Sequence, residues 1–212
     1  MTSILKTQCP LCKETAFEFY KEEFYLCENC LGIFRHPDSL PNRDQEKERY
    51  EKHNNDVFDT GFRSFVKPLT DAILSKFSAD NLGLDFGSGP RSVVSEILAE
   101  NNFQIKQYDP FFQNHPELLE TTYDYIVGCE VVEHFHQPAK EFQLLHKLLK
   151  PGACLLGMTE IYNPEINFKT WYYKNDKTHV FFYQKETLEW IKVNFGFESL
   201  EYVDRSFILE KH

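Results

Sequence analysis

The stretch that most constrains this chain is Leu82-Gly83-Leu84-Asp85-Phe86-Gly87-Ser88-Gly89-Pro90. It has a short apolar lead-in, an acid, and two glycines in three positions, and then Ser92-Val93-Val94-Ser95-Glu96-Ile97-Leu98-Ala99 with apolar residues at helical spacing. Strand, glycine turn and helix in that order open a Rossmann-like nucleotide site. Gly87 and Gly89 would let backbone approach a ligand where a Cβ would collide. A tight βα turn without a ligand has the same letters, so the rest of the chain has to arbitrate.

The rest alternates. A strand is expected over 103–109, a second over 123–130, a helix over 138–150 stopping at Pro151-Gly152, and a strand over 154–159. A helix over 186–195 ended by Gly196 and a terminal pair of strands at 198–203 and 207–209 follow. Such alternation predicts an α/β fold with a Rossmann-like, mostly parallel sheet. Asp109 falls about twenty residues beyond the glycine turn, where a carboxylate can accept from two ribose hydroxyls. At 212 residues, 42% of them hydrophobic, the chain suffices for one good core and a small appendage.

The appendage is expected at the N-terminus. Cys9-Pro10-Leu11-Cys12 and Cys27-Glu28-Asn29-Cys30 are two C-x-x-C knuckles, a spacing that brings four thiolates to one tetrahedral cation. Between them, 16–20 and 23–26 form two strands of a hairpin turning near Lys21-Glu22, as in a zinc ribbon, although the spacer is slightly shorter than usual. Disulfides and a redox dithiol are the competing assignments; the first is disfavoured in a reducing compartment and the second needs only one pair. Cys9, Cys12, Cys27 and Cys30 are therefore assigned to structural zinc, and the lone Cys129 and Cys154 to buried thiols. His36 is a conceivable stray ligand.

Three units are expected: a ribbon over 1–37, a linker with N-terminal helices covering the site over 38–78, and the Rossmann-like domain over 79–212. The linker holds an almost wholly charged run from Arg43 to about Lys52, read as a solvated helix or a mobile cover, then a pause at His53-Asn54-Asn55-Asp56, and Gly61-Phe62-Arg63-Ser64-Phe65. A helix then follows through Leu69, Ile73, Leu74 and Phe77, with Pro68 near its start. Arg63 is a candidate for a ligand carboxylate or for a surface ion pair. The net charge of −10 disfavours broad capture of nucleic acid. No apolar run has membrane-spanning length, and the N-terminus lacks a long apolar signal region, so a cytoplasmic location is expected.

Leu84-Asp85-Phe86-Gly87-Ser88-Gly89, Tyr108-Asp109, Tyr123-Asp124-Tyr125-Ile126-Val127, Glu130-Val131-Val132-Glu133-His134-Phe135 and Leu149-Lys150-Pro151-Gly152 stand in order along the chain. In that order and spacing they resemble the motifs of class I S-adenosylmethionine-dependent methyltransferases, from about residue 50 to the C-terminus. The resemblance implies that Asp85, Gly87 and Gly89 surround the methionine half of the cofactor. Asp109 would hold the ribose, with Pro110 and Phe111 beside it, and Cys129, Glu130 and Val131 would pass beneath. A dehydrogenase would want a third glycine where Arg91 stands. The segment between Asp109 and Tyr123 is shorter than in most of the superfamily, which implies that one strand–helix unit is lost or reduced, and with it the acid that meets adenine. Phe111 or Phe112 could pack on the adenine ring instead, or both could simply belong to the core.

Glu130, Glu133 and His134 at i, i+3, i+4 would share a helical face and could hold a divalent cation that acidifies a substrate hydroxyl. The run resembles the metal motif of small-RNA 3′-terminal 2′-O-methyltransferases, in which a downstream histidine completes the site, and also the quinone-biosynthesis O-methyltransferases. His179 is the candidate for that histidine, and Glu133, His134 and His179 are the expected catalytic set. Capping and a structural hydrogen bond are the plain alternatives. The aromatics Phe168, Trp171, Tyr172 and Tyr173 could form a lid over a substrate or pack as a loop. The expected function is O-methylation of a small molecule, yielding S-adenosylhomocysteine. An RNA methyltransferase presenting bases on the ribbon, thinly supported by Lys6, Lys13, Lys21 and Arg35, and a non-catalytic cofactor-binding scaffold are the rivals.

Overall fold

The computed structural model describes residues 5–52 and 56–212, so His53, Asn54 and Asn55 of the expected pause, and the first four residues, lie outside it. The N-terminal segment folds as expected for a ribbon: β1 (Lys6–Gln8), β2 (Thr15–Tyr20), β3 (Phe24–Cys27) and β4 (Ile33–Arg35) pair antiparallel in sequence order. Each knuckle closes on a left-handed residue immediately after its second cysteine, Lys13 at φ 67° and Leu31 at φ 55°. The chain then forms α1 (Arg43–Glu51) and α2 (Thr60–Lys76). The α1 helix opens on a capping box between Asn42 and Gln45, which satisfies amides that an almost wholly charged helix could not bury.

Helix α2 starts earlier than expected, because the Asp59 side chain caps it by accepting the Phe62 amide at 2.7 Å. Gly61 to Phe65 are therefore helical and Pro68 sits in mid-helix. A proline there forfeits a backbone bond, but buried Val66, Leu69, Thr70 and Ile73 hold the helix against the sheet.

The second sheet is built from β5 (Leu82–Phe86), β6 (Gln104–Tyr108), β7 (Tyr123–Cys129), β8 (Leu149–Met158), β10 (Phe197–Val203) and β11 (Ser206–Lys211) in the order β10-β11-β8-β7-β5-β6. Four strands are parallel, and β11 and β10 add antiparallel. Helices α2 and α3 (Val93–Glu100) cover one face, where Val66, Ile73, Val94 and Leu98 meet Tyr125, Val127, Leu156 and Ile208. On the other face α4 (Pro138–Leu148) and α5 (Lys185–Phe195) bring Phe142, Leu145, Leu188 and Ile191 against Leu84, Ile126, Leu155 and Leu209. Adjacent residues thus serve opposite faces, as the pleat requires.

The expected loss of one unit is observed. Strand β6 is the edge, and the chain returns to β7 through an Asp109–Gln113 bridge and a 3-10 turn at Pro116–Glu120. One boundary needs correction. Helix α4 ends at Leu148 rather than at Pro151-Gly152, because Leu149 already pairs with Tyr123 and is buried as a strand residue. Gly152, at φ +73°, lies in the irregular register that follows.

The segment after β8 docks the ribbon. Phe168, Trp171 and Tyr173 are buried against Phe24, Ile33 and Phe182, with the Phe24–Phe168 and Trp171–Phe182 rings 5.1 Å apart. Only Tyr172 of the expected lid is exposed. The two-residue strand β9 (Phe181–Phe182) then pairs with β4, so the ribbon sheet takes its fifth strand from the α/β part. Among the described residues no helix is long and apolar enough to cross a membrane.

Candidate functional site

A cleft of about 1860 Å³ opens at the carboxyl ends of β5, β6 and β7, where open α/β sheets place ligands. Its floor is the glycine turn. Gly87 sits at φ +80°, its amide bonded to the Tyr108 carbonyl at 2.8 Å, and a Cβ there would stand 2.7 Å from both γ-methyls of Val131. Gly89, at φ +63°, has nothing within 4 Å of where a Cβ would be. The first glycine is demanded by packing, while the second faces open space.

Asp109 ties this turn together. Its Oδ2 accepts the Gly89 amide at 3.0 Å, and its Oδ1 accepts those of Phe111 at 2.8 Å and Phe112 at 3.1 Å. A carboxylate offers about four lone-pair directions, so one remains, on Oδ2. Asp85 is buried behind the turn and accepts Ser95 Oγ at 2.6 Å; burial pushes its carboxyl up to about 6 despite hydrogen bonds from Ser92 and Ser95. Pro110 and Phe111 form a wall, and Cys129 and Val131 lie across the floor. Burial raises the Cys129 thiol, whose Sγ lies 4.0 Å from Met158 Sδ. Arg63 does not line the cleft: it pairs with Glu100 and donates to the Val57 carbonyl at 3.1 Å, because α2 carries it toward α3.

Helix α1 crosses the cleft as a strap. Arg43 donates to the Pro110 carbonyl at 2.9 Å and lies over the Phe111 ring, Glu46 meets His136 Nε2 at 3.0 Å, and Arg49 meets Asp176 Oδ2 at 2.7 Å. Tyr50 stands edge-on to both Phe111 and His134.

At the far end Glu133, His134 and His179 present ligand atoms within 4.8 Å of one another. Glu130 is not part of this group, contrary to the helical-face expectation. The turn after β7 is a 3-10 turn over Val132–His134 only, and Glu130 precedes it in a left-handed conformation at φ +51°. It turns instead toward Arg205, at 3.6 Å, and accepts Tyr173 Oη at 3.1 Å. Tyr173 Oη also reaches Glu133 Oε1, at 2.6 Å, so one phenol bridges both carboxylates.

The two imidazoles are held alike. His134 Nδ1 lies 2.7 Å from the Thr178 carbonyl, and His179 Nδ1 lies 2.8 Å from the Tyr173 carbonyl. A carbonyl only accepts, so both Nδ1 atoms carry protons and both Nε2 atoms keep lone pairs in the neutral rings. Burial lowers both histidines, His179 to about 3 with the neighbouring His134 contributing. Burial also raises Glu133 to about 7 and, together with Glu133, raises Glu130 to about 8. Glu133 is fully buried, and among the described residues its Oε2 has no hydrogen-bond partner. A buried carboxylate oxygen left unpaired is costly.

In the ribbon the cysteine sulfurs of Cys9, Cys12, Cys27 and Cys30 lie within 4.8 Å of one another, with Cys9–Cys30 at 3.6 Å and Cys12–Cys27 at 3.3 Å. All six cysteines are free thiols. Sulfurs about 2.3 Å from one cation stand roughly 3.8 Å apart in a tetrahedron, so the cluster fits a four-thiolate metal site. His36 is not part of it, since its Nδ1 accepts the Asp38 amide.

Sequence reasoning missed Glu46, Arg49 and Arg205, and it placed Tyr173 in a lid rather than between the two carboxylates. A cover over the site was expected from the 38–78 segment, but not which of its side chains would hold it in place. Arg205, between β10 and β11, left no local trace.

A family model described as a methyltransferase domain matches residues 58–202. A ubiquinone biosynthesis O-methyltransferase of Aliivibrio fischeri is 29% identical over 86 residues, which are 41% of this chain and 37% of that protein. The chain thus spans little more than a third of the curated relative's length. Among solved structures, an O-methyltransferase family protein from Burkholderia thailandensis aligns with TM-score 0.55 at 13% identity, over 81% of this chain and 64% of its own. A SAM-dependent methyltransferase from Archaeoglobus fulgidus aligns with TM-score 0.56 at 16% identity, over 78% of this chain and 98% of its own. At such identities the structural likeness speaks for the fold.

Proposed function

The chain belongs to the methyltransferase-domain family, and from that premise we propose that it moves a methyl group from S-adenosylmethionine to a hydroxyl oxygen of a small molecule, leaving S-adenosylhomocysteine. The open space above Gly89 and the one remaining lone pair of Asp109 suit the cofactor. Gly87, Gly89 and Asp85 would border its methionine end, Asp109 would accept from a ribose hydroxyl, and Phe111 offers an apolar face for the adenine. When bound, the cofactor supplies an electrophilic methyl on a sulfonium. Glu130 and Val131 border the same floor, and α1 would screen it from water.

The observation that carries the acceptor side is the orphaned Oε2 of buried Glu133 beside two imidazoles whose Nε2 atoms keep lone pairs. We read Glu133, His134 and His179 as the ligands of a divalent cation; such a cation supplies acidification of a coordinated hydroxyl. The chain's own part is to keep both histidines neutral and aimed through Thr178 and Tyr173, the outer-shell pattern typical of metal-ligating histidine. The four-cysteine cluster is read as a structural zinc site with no open position, which leaves the chemistry to the cleft. The net charge of −10 and the strap across the cleft favour a small acceptor over RNA.

The test is S-adenosylhomocysteine release over a panel of phenolic, sugar and lipid-like hydroxyl compounds, with magnesium or manganese added or chelated. Turnover that needs the cation and is lost in Glu133→Gln and His179→Ala supports the assignment. Cation-independent turnover removes the metal. Cofactor binding without transfer to any acceptor favours a scaffold, and salt-sensitive RNA binding favours the nucleic-acid alternative.

A further inference from the structure

Arg35 closes β4, and among the described residues it is the one lysine or arginine of the ribbon that is buried, with a side chain 3% exposed. Its guanidinium reaches out of the ribbon. Nε donates to the carbonyl of His179 at 2.9 Å, and one terminal nitrogen donates to those of Lys174 at 2.6 Å and Asp176 at 3.1 Å. The other terminal nitrogen pairs with Glu23, and the plane lies 4.6 Å from the Phe24 ring centroid. Four of the five N–H groups of the fork are thereby used.

Those three carbonyls bracket the turn that holds the imidazoles. The Tyr173 carbonyl before it receives His179 Nδ1, and the Thr178 carbonyl inside it receives His134 Nδ1. The Asp176 side chain within the turn binds the Thr178 amide at 3.0 Å and the strap residue Arg49. The 173–180 segment is largely without regular structure beyond one 3-10 turn, so its shape needs an outside template. A flat cation with donors in fixed directions sets the positions of three carbonyls relative to one another, whereas an ammonium carries its donors on a flexible stem and fixes them less.

We propose that Arg35 is a positioning residue: from the ribbon it fixes the 174–179 turn and so aims Nε2 of His134 and His179 into the acceptor end of the cleft. The inference rests on the assignment of that end to Glu133, His134 and His179. It makes the ribbon a working part of the site rather than an appendage, since the cysteine knuckles hold β3 and β4, and β4 holds Arg35.

The experiment compares wild type with Arg35→Lys and Arg35→Met, using protein labelled with 15N-histidine and the two rings identified through His134→Asn and His179→Asn. Wild type should show both rings as the Nδ1–H form. In the variants these signals should collapse to tautomeric mixtures while zinc content and cofactor affinity hold, and turnover, where an acceptor is known, should fall by about a hundredfold. Lysine should restore little of the signal. Unchanged imidazole signals in a folded variant overturn the proposal. So does failure of both variants to fold, which would make the arginine a strut of the fold and nothing more. Shifted imidazoles in a protein that methylates nothing would sink the proposed activity and leave the positioning role standing.

Discussion

Asp109 and Gly89, twenty residues apart, are joined by a 3.0 Å bond from the Gly89 amide to the carboxylate, so the acid at the end of one strand shapes the glycine turn at the end of its neighbour. The same carboxylate caps the Phe111 and Phe112 amides. A residue expected to face a ligand is thus first a brace of the surface on which a ligand would sit.

Substitution should separate these roles. Asp109→Ala leaves three amides without their acceptor and removes the free lone pair. Cofactor affinity by calorimetry should fall by at least about tenfold, the equivalent of one charge-assisted bond. Unchanged affinity would end the proposed ribose role.

The two glycines should answer differently to alanine. Gly89→Ala incurs a left-handed backbone cost of about 1 kcal/mol but meets no atom, so the protein should fold and lose cofactor binding. Gly87→Ala adds a collision with Val131 and should lower the melting temperature further. Equal melting temperatures would contradict the packing argument.

Asp85 sets a pH dependence. Its folded pKa of about 6 lies above the ordinary 3.8 of an aspartate, so between those values the unfolded chain has already released the proton that the folded chain keeps. Stability therefore falls as pH rises through that window. Relative to Asp85→Asn, wild type should lose up to about 3 kcal/mol between pH 4 and pH 6.5, at about 1.4 kcal/mol per pKa unit. Denaturant melts at a series of pH values would show it, and a flat difference would refute it.

The Arg49–Asp176 pair closes the strap. Arg49 is half exposed, so the pair should matter by about 0.5–1 kcal/mol at most, by analogy with exposed ion pairs. Arg49→Ala should leave the melting temperature nearly unchanged and speed cofactor release by about two- to fivefold, measured by stopped-flow. Identical release rates would mean that α1 does not gate the cleft.

The cysteine cluster predicts about one zinc per chain. Cys27→Ser should lower that content and melt the ribbon, since so small a sheet draws much of its stability from the metal. Metal analysis of protein purified without chelator checks both.

Much of the fold was legible because it is written locally. The glycine turn, Gly196 after α5 and the two knuckles each act within a few residues. The short segment after Asp109 likewise foretold the missing edge unit. Two boundaries were not legible, for a shared reason. Leu149 leaves its helix because Tyr123 pairs with it, and Arg63 turns from the cleft because Asp59 caps α2 and the helix points Arg63 at Glu100.

The candidate site divides along the same line. Sequence alone determined the turn, its acid and the Glu133–His134 run, since these stand at strand ends whose spacing is dictated by the βα repeat. Only the tertiary structure decided that Glu130 leaves the group, that the Thr178 carbonyl holds His134, and that an arginine in the ribbon binds the turn carrying His179. Those relations join residues 43 to 144 positions apart. Contacts at that distance depend on how the ribbon docks on the sheet, through packing of aromatic rings whose partners no local pattern specifies.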